Sequence, residues 1–253
     1  MARQAPVRDV APTVQRLRLR YAKRGPLRFT STRDFQRALE RALRRTGVPM
    51  AYSQGFNPHP RISYTNAAPT GTASEAEYAE LAVTSVLDPE KVRDALDAAL
   101  PPGLDVLEVV TVRTPDLAER LQASVWTVEL PGVGVDRARA AVAALLDAET
   151  VEVSRLTKSG MRSFDARGPV LRCDVRPGET PDGSVCAILD LVVRHVTPSV
   201  RPDDVLAALR LVADLVPPVP ASVTRLAQGP LVADVSTGAA SDAVTDPLAP
   251  DRD

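Results

Sequence analysis

Sulfur and imidazole ligands are scarce in this sequence of 253 residues, which contains two cysteines and two histidines. A zinc or iron–sulfur site needs several such side chains close together, and the sequence has no Cys-x-x-Cys and no pair of histidines four residues apart. The sequence therefore argues against a metal centre in this chain. Cys173 and Cys186 fall in strand-like segments, and we expect buried reduced thiols rather than a disulfide.

Apolar runs of transmembrane length are also missing, because none reaches the roughly 18 to 20 residues that cross a bilayer. The opening residues MARQAPVRDVAPTV lack the apolar core of a secretory signal. We therefore expect a cytoplasmic protein without a membrane partner.

The motifs of the common enzyme classes are lacking as well. Glycines stand singly rather than in a phosphate-binding loop, so the sequence predicts no nucleotide cofactor. A nucleophilic triad needs a base, and the two histidines are His59 and His195. Because His195 ends an apolar strand-like run, we interpret it as structural, which leaves His59 as the candidate acid–base residue.

What the chain does have is a strongly uneven distribution of charge. Residues 1–65 contain 14 Lys or Arg and three acidic residues, a balance of +11, whereas the remainder has 17 basic and 29 acidic residues, a balance of −12. The net charge of −1 conceals this asymmetry. Clustered arginine supplies the phosphate contacts of nucleic-acid binding, so the basic end is a candidate polyanion surface.

Periodicity in residues 15–113 predicts a first α+β unit. Polar and apolar residues alternate over 16–21, as in a half-buried strand. Ser31 and Asp34 open a helix over Thr32–Thr46 that Gly47 and Pro49 end. Strands near 61–68, 77–84 and 105–112 and a helix over 89–100 complete a βαββαβ order, which is the ferredoxin-like arrangement.

A second α+β unit is predicted over residues 124–233, after the linker-like TPDLAERLQ. Its strands are expected near 124–130, 151–156, 170–175, 185–195 and 223–227, with helices over 136–147 and from Pro202. The predicted fold class is therefore α+β, with tandem ferredoxin-like units; a single continuous mixed sheet is the alternative. The polar residues 1–14 and the acidic residues 236–253 are expected to be disordered tails.

Two rows of arginine are the candidate binding residues of the first unit. Arg33, Arg37 and Arg41 recur every four residues on the predicted helix, opposite its apolar face, and Arg44 follows three residues later. Arg16, Arg18 and Arg20 share one face of the first strand. They would line the sheet surface on which ferredoxin-like units commonly hold single-stranded RNA. The alternatives are a solvated helix face, partly neutralised by Glu40, and an edge strand protected by charge.

A chemically mixed loop, SQGFNPHPR over residues 53–61, is the second candidate site. Prolines brace it, and rigid polar loops tend to be binding sites. Its candidate contact residues are Gln54, Phe56, Asn57, His59 and Arg61. The second unit has a counterpart in KSGMRSFDAR, whose candidate residues are Lys158, Arg162, Asp165 and Arg167. An aspartate among three cations more often organises them than acts as an acid or base.

These segments carry a family resemblance from about residue 15 to 230. The runs YAKRGPLRFTS, DFQRALERALRRTGVP, AYSQGFNPHPRIS, GTASEAEYAEL and KSGMRSFDARGPV resemble the radical SAM-associated (radical SAM-linked) proteins, a family built on a domain of unknown function. The resemblance implies association with a radical SAM enzyme and work on RNA or ribosomes. It also implies that the partner would carry the iron–sulfur cluster and S-adenosylmethionine, because this chain lacks the three-cysteine cluster motif.

Three functional hypotheses follow. The first is a non-catalytic partner of a radical SAM enzyme that binds RNA or the ribosome through the residues named above. The second is a metal-independent RNA-processing or RNA-modifying enzyme that uses His59 as acid or base. The third is a scaffold whose basic face docks on an acidic protein.

Overall fold

The computed structural model of the chain describes residues 11–54, 56–157, 160–180, 183–235 and 238–252. These residues form both helices and strands, so the predicted α+β class is confirmed. The chain divides into two compact units: unit 1 is Met1–Ala118 with Leu248–Asp253, and unit 2 is Glu119–Pro247.

Unit 1 has the predicted element order of strand, helix, two strands, helix and strand. Its elements are β1 (Gln15–Lys23), α1 (Thr32–Thr46), β2 (Ile62–Thr65), β3 (Ala73–Val83), α2 (Pro89–Ala99) and β4 (Val106–Thr111). The strands pair antiparallel in the order β4-β1-β3-β2, so β1 and β3 are central.

The core of unit 1 lies between the sheet and its helices. Strand alternation turns Leu17, Leu19 and Tyr21 of β1 into this core, where all three are buried. From α1, Phe35 and Leu39 pack against them. The Tyr21 and Phe35 rings stack with centroids 4.0 Å apart and planes 7° apart. Aromatic contact of this kind fixes the rotation of α1 about its axis and hence which helix face is left to solvent.

Unit 2 begins in the linker-like segment, where a short helix, α3 (Leu117–Arg120), crosses the boundary between the units. Its further elements are β5 (Ala123–Pro131), α4 (Val135–Asp147), β6 (Glu152–Thr157), β7 (Gly160–Asp165), β8 (Val170–Glu179), β9 (Val185–Arg194), α5 (Pro202–Ala213) and β10 (Ser222–Gly229). Four of the strands pair antiparallel in the order β10-β5-β9-β8.

One element of unit 2 differs from the sequence expectation. The KSGMRSFDAR segment, the counterpart of the SQGFNPHPR loop in the sequence, contains a strand: Gly160–Asp165 forms β7 and pairs with β6 in a separate two-stranded hairpin. Four of the six β7 residues are exposed, so the strand has no regular alternation of apolar and polar residues to reveal it. The hairpin lies between α4 and β8, the same position in the element order that the SQGFNPHPR loop has between α1 and β2.

The acidic C-terminal segment also differs from the expected disordered tail. In the described residues it contains two short 3₁₀ turns, Ala240–Ala243 and Ala249–Asp251. Leu248 and Asp251 are buried, and the Arg252 guanidinium donates to both carboxylate oxygens of Glu108 at 2.6 and 2.7 Å. Composition failed here because the ordering free energy comes from a few specific contacts rather than from apolar content.

Candidate nucleic-acid interface

The amphipathic helix α1 positions the first part of the site. Ser31 caps its N-terminus by accepting a hydrogen bond from the Asp34 N–H at 3.2 Å, and Gly47 ends it in the left-handed region at φ 69°. Phe35, Leu39, Ala42 and Leu43 are the buried residues of α1. The opposite face therefore points to solvent.

That solvent face carries the predicted arginine row. Arg33, Arg37, Arg41 and Arg44 are all exposed. Arg37 lies 3.7 Å from the Asp34 carboxylate, an exposed pair that stabilises little. Within the part of the chain that the structure describes, Arg33, Arg41 and Arg44 have no carboxylate at ion-pair distance, so Glu40 does not neutralise Arg44 by an ion pair. The row is thus a ridge of positive charge that is mostly uncompensated.

The SQGFNPHPR loop is held by its own backbone. The Ser53 N–H donates to the His59 carbonyl at 2.8 Å, and the His59 N–H donates to Ser53 Oγ at 3.0 Å. The Arg61 N–H donates to the Ala51 carbonyl at 2.8 Å, which closes the base of the loop. These bonds fix the two ends of the loop.

Most loop side chains point to solvent. Gln54, Asn57, His59 and Arg61 are exposed, and Phe56 is 51% exposed. Tyr52, just before the loop, is 40% exposed. The His59 ring makes no hydrogen bond with any described residue.

Helix α1 and the loop meet in one depression of about 460 Å³. Its walls are formed by Arg33, Gln36, Arg37, Glu40, His59 and Tyr64, among others. Burial, followed by the charge of Glu40, raises the pKa of the Tyr64 hydroxyl, which finds no hydrogen-bond partner among the described residues. The depression thus offers cationic, amide and imidazole donors together. Gln36 was missed in the sequence, although its spacing of three from Arg33 places it on the same face.

A second depression, of about 640 Å³, lies on the other side of His59. It is lined by Arg16, His59, Arg61 and Glu80, among others. The Arg61 guanidinium donates to Thr13 Oγ1 at 3.2 Å, and the Arg16 guanidinium is paired with the Glu80 carboxylate. This side of the loop is therefore closer to neutral than the side that faces α1.

The arginines of β1 do not form the open basic row that was predicted. Arg18 is 1% exposed and pairs with Glu80 at 3.1 Å and with Asp251 at 2.5 Å. Arg16 is engaged by Glu80, and Arg20 is half-buried with its Nε atom enclosed. Alternation assigned the right strand face, but acidic side chains from β3 and from the C-terminal segment occupy it, so Arg18 is buried and paired rather than part of an exposed row.

The counterpart cluster in unit 2 is also largely structural. The Asp165 carboxylate accepts the N–H groups of Val151, Arg167 and Gly168, each at 2.9 Å. Burial alone would raise the pKa of Asp165, but these hydrogen bonds outweigh it and lower the pKa. Arg167 donates to the carbonyls of Leu146 and Val170. Arg162 remains exposed, and Lys158 lies outside the described residues.

His195 has the structural role that the sequence indicated. Its Nδ1 lies 2.6 Å from the Leu121 carbonyl, which can only accept, so Nδ1 is protonated and Nε2 accepts from the Ser124 hydroxyl, also at 2.6 Å. Ser124 is 1% exposed, so its hydroxyl is closed to a substrate, and His195 is half-buried. Cys173 and Cys186 are buried free thiols, and burial raises the pKa of Cys173 to about 12.

Comparisons with known proteins give a family but no activity. Among the described residues no helix is long and apolar enough to cross a membrane. No curated protein matches the chain. A solved chain from the cryo-EM structure of the encapsulated DyP-type peroxidase from Mycobacterium smegmatis is 11% identical over 87% of this chain and 92% of that chain, with a TM-score of 0.20, which is too low to support any argument. The family model described as "Uncharacterized protein conserved in bacteria (DUF2344)" matches residues 16–202. The chain therefore belongs to this uncharacterized bacterial family.

Proposed function

We propose that unit 1 binds single-stranded RNA on the face formed by α1 and the SQGFNPHPR loop, without itself catalysing a reaction. The observation that carries the proposal is the exposed row of Arg33, Arg37 and Arg41 beside the braced loop. Successive arginines four residues apart rise about 6 Å along the helix, so they can contact successive phosphates of an extended strand.

Two further features support RNA over other polyanions. Tyr52 and Phe56 are exposed aromatic side chains at the loop, and such rings stack on unpaired bases. Gln54 and Asn57 are exposed amides that can donate to and accept from base edges. Phosphate contacts would supply affinity, and the loop would supply the base contacts.

We infer that both units are ferredoxin-like once the β6–β7 hairpin of unit 2 is set aside. In unit 1, β1 lies between β4 and β3 with β2 outermost, and in unit 2, β5 lies between β10 and β9 with β8 outermost. A radical SAM enzyme is the proposed partner and the cytoplasm the proposed compartment. The sequence resemblance supports the partner.

Salt dependence tests the RNA proposal. A variant with Arg33, Arg37 and Arg41 all changed to Gln is compared with the wild type in binding a labelled poly(U) oligonucleotide between 50 and 300 mM KCl. Each phosphate contact to a single strand contributes about 0.7 to the slope of log K against log salt, so the variant's slope should be smaller by about 2. The matched control changes exposed Arg139, Arg194 and Arg210 of unit 2 to Gln and should leave the slope unchanged.

The outcomes separate the three hypotheses. Binding that is absent or independent of salt rejects the RNA interface, and an equal loss in the control would mean nonspecific attraction to net charge. Cleavage or modification of the oligonucleotide that His59→Ala abolishes would establish the enzyme hypothesis instead. Salt-sensitive binding of polyglutamate but not of poly(U) would favour the scaffold.

A further inference from the structure

The Asp251 carboxylate occupies a ready-made anion receptor in unit 1. It accepts hydrogen bonds from Arg18 Nη1 at 2.5 Å, from Thr114 Oγ1 at 2.6 Å, and from the backbone N–H groups of Arg113 at 3.0 Å and Thr114 at 2.9 Å. Two successive N–H groups, a hydroxyl and a guanidinium directed at one point form the kind of concave donor set that binds phosphate in proteins.

The receptor is built without the C-terminal segment. Arg18 lies in the middle of β1, opposite Val110 of β4, and its Nε is also held by Glu80 at 3.1 Å. Arg113 and Thr114 follow directly after the end of β4. Among the groups named, only the carboxylate comes from the far end of the chain, 233 positions from Arg18. The donors would therefore stay close together if the carboxylate left.

The receptor borders open space. Asp251, Arg113 and Arg252 line a depression of about 560 Å³ beside β4. Of the nearby carboxylates, Glu80 is paired with arginines of β1 and Glu108 with Arg252, while Glu90 lines the depression together with Arg93 and Arg113. A phosphate group could thus take the place of the carboxylate and direct its remaining oxygens into the depression.

The C-terminal segment is anchored unevenly. The Arg252–Glu108 pair is partly exposed, with side chains 42% and 23% accessible, and such pairs stabilise little. The Asp251 carboxylate is 0% accessible and saturated with donors. Burial alone would raise the pKa of Asp251, but its hydrogen bonds hold that pKa well below the usual range, so the group is charged at neutral pH. The charged carboxylate is therefore the chief anchor of this segment.

We propose that Arg18, Arg113 and Thr114 form a phosphate-binding site in which Asp251 is a built-in competing ligand, so that the C-terminal segment closes the site until it is displaced. The inference does not depend on RNA binding by α1, because it concerns the other face of the unit 1 sheet. The ligand is a phosphate group, either free or within RNA.

Chemical rescue by inorganic phosphate tests the site in the full-length chain. Asp251→Ala removes the competing ligand, and Asp251→Asn does so while keeping the side-chain shape if the alanine variant does not fold. At phosphate ten times its Kd, the melting temperature of either variant should rise by about 3 to 5 °C relative to KCl of equal ionic strength. The wild type should rise by less than about 1 °C, since its site is filled.

Two controls make the result specific. Leu39→Ala lowers stability in the same unit without opening an anion site, and it should respond to phosphate as the wild type does. Adding Thr114→Ala to Asp251→Ala should abolish most of the rescue, because a hydroxyl donor is lost. If both Asp251 variants respond no more than Leu39→Ala, the proposal is wrong.

The source of the phosphate is decided in a second arm. In a background with Arg33, Arg37 and Arg41 changed to Gln, poly(U) binding is measured with and without Asp251→Ala. If Asp251→Ala increases the affinity for poly(U) about tenfold, the ligand is RNA phosphate. A tenfold increase is equivalent to about 1.4 kcal/mol, which one charge-assisted hydrogen bond can supply. Rescue by inorganic phosphate without that gain would indicate a free phosphate ligand, and neither effect would overturn the site.

Discussion

Replacing Asp251 by Asn should lower the free energy of unfolding of unit 1 and make it less dependent on pH in the acidic range. The carboxylate is held by the Arg18 guanidinium, the Thr114 hydroxyl and two N–H groups. The amide keeps the shape but loses the charge, and one of its two terminal atoms becomes a donor facing other donors. Arg18 then has Glu80 as its remaining carboxylate partner among those the structure shows.

The size of the effect follows from the burial of the pair. Removing one partner of a buried ion pair costs about 3 to 5 kcal/mol, and the contact of Arg18 with Glu80 puts this case at the lower end, about 3 kcal/mol at pH 7. The pKa of Asp251 is lowered in the folded state, so its contribution is complete above the unfolded-state pKa of about 3.9 and is lost as the pH falls below it. The difference in unfolding free energy between the wild type and Asp251→Asn should therefore become smaller from pH 5 towards pH 2.

Urea unfolding at several pH values measures this difference. All four tyrosines belong to unit 1 and the single tryptophan, Trp126, belongs to unit 2, so near-ultraviolet circular dichroism of tyrosine and tryptophan fluorescence follow the two units separately. The lower unfolding free energy of the variant should appear in the tyrosine signal, which reports on unit 1. Two results would refute the buried ion pair as the anchor of the C-terminal segment. One is an unfolding free energy that changes equally with pH in wild type and variant from pH 7 to pH 2, and the other is a loss of less than about 1 kcal/mol at pH 7.

Two more predictions concern unit 2. Burial lowers the pKa of His195, so the neutral ring is favoured in the folded state. The free energy of unfolding of unit 2 should therefore decrease as the pH falls from about 6.5 towards 5. His195→Gln should make this free energy less dependent on pH, as measured by tryptophan fluorescence during urea unfolding. A Cβ on Gly229 would overlap the Thr245 carbonyl oxygen, so Gly229→Ala should cost about 3 kcal/mol in urea unfolding. Gly134→Ala, where the Cβ meets nothing within 4 Å, should cost little, and equal costs at both sites would contradict the packing argument.

Helix α1 shows where sequence reasoning succeeds. Its capping residue, apolar spacing and terminal glycine are local signals, and its observed bounds, Thr32–Thr46, are the predicted ones. The solvent exposure of Arg33, Arg37 and Arg41 follows from the same pattern, because burying one helix face leaves the opposite face free. That part of the candidate interface could therefore be predicted before the fold was known.

The β6–β7 hairpin and the β1 arginines show where prediction from the sequence fails. Strand β7 is exposed over most of its length, so no alternation marks it. For β1, alternation placed Arg18 on the right side of the strand, but it could not show that Glu80 and Asp251 would bury its charge.

By itself, the sequence determined the order of helices and strands in unit 1 and, apart from α3 and β7, in unit 2. It also determined the positive charge of the first 65 residues and the solvent-facing arginines of α1. These features depend on neighbours within one or two turns of a helix or along one strand. Only the tertiary structure decided which other arginines are available to a ligand, because their partners lie far away along the chain: Asp251 reaches Arg18 across 233 positions. Composition suggested that this acidic segment would be unstructured, yet its described part is held by specific contacts: the buried Asp251 carboxylate with four donors, buried Leu248 and the Arg252–Glu108 pair.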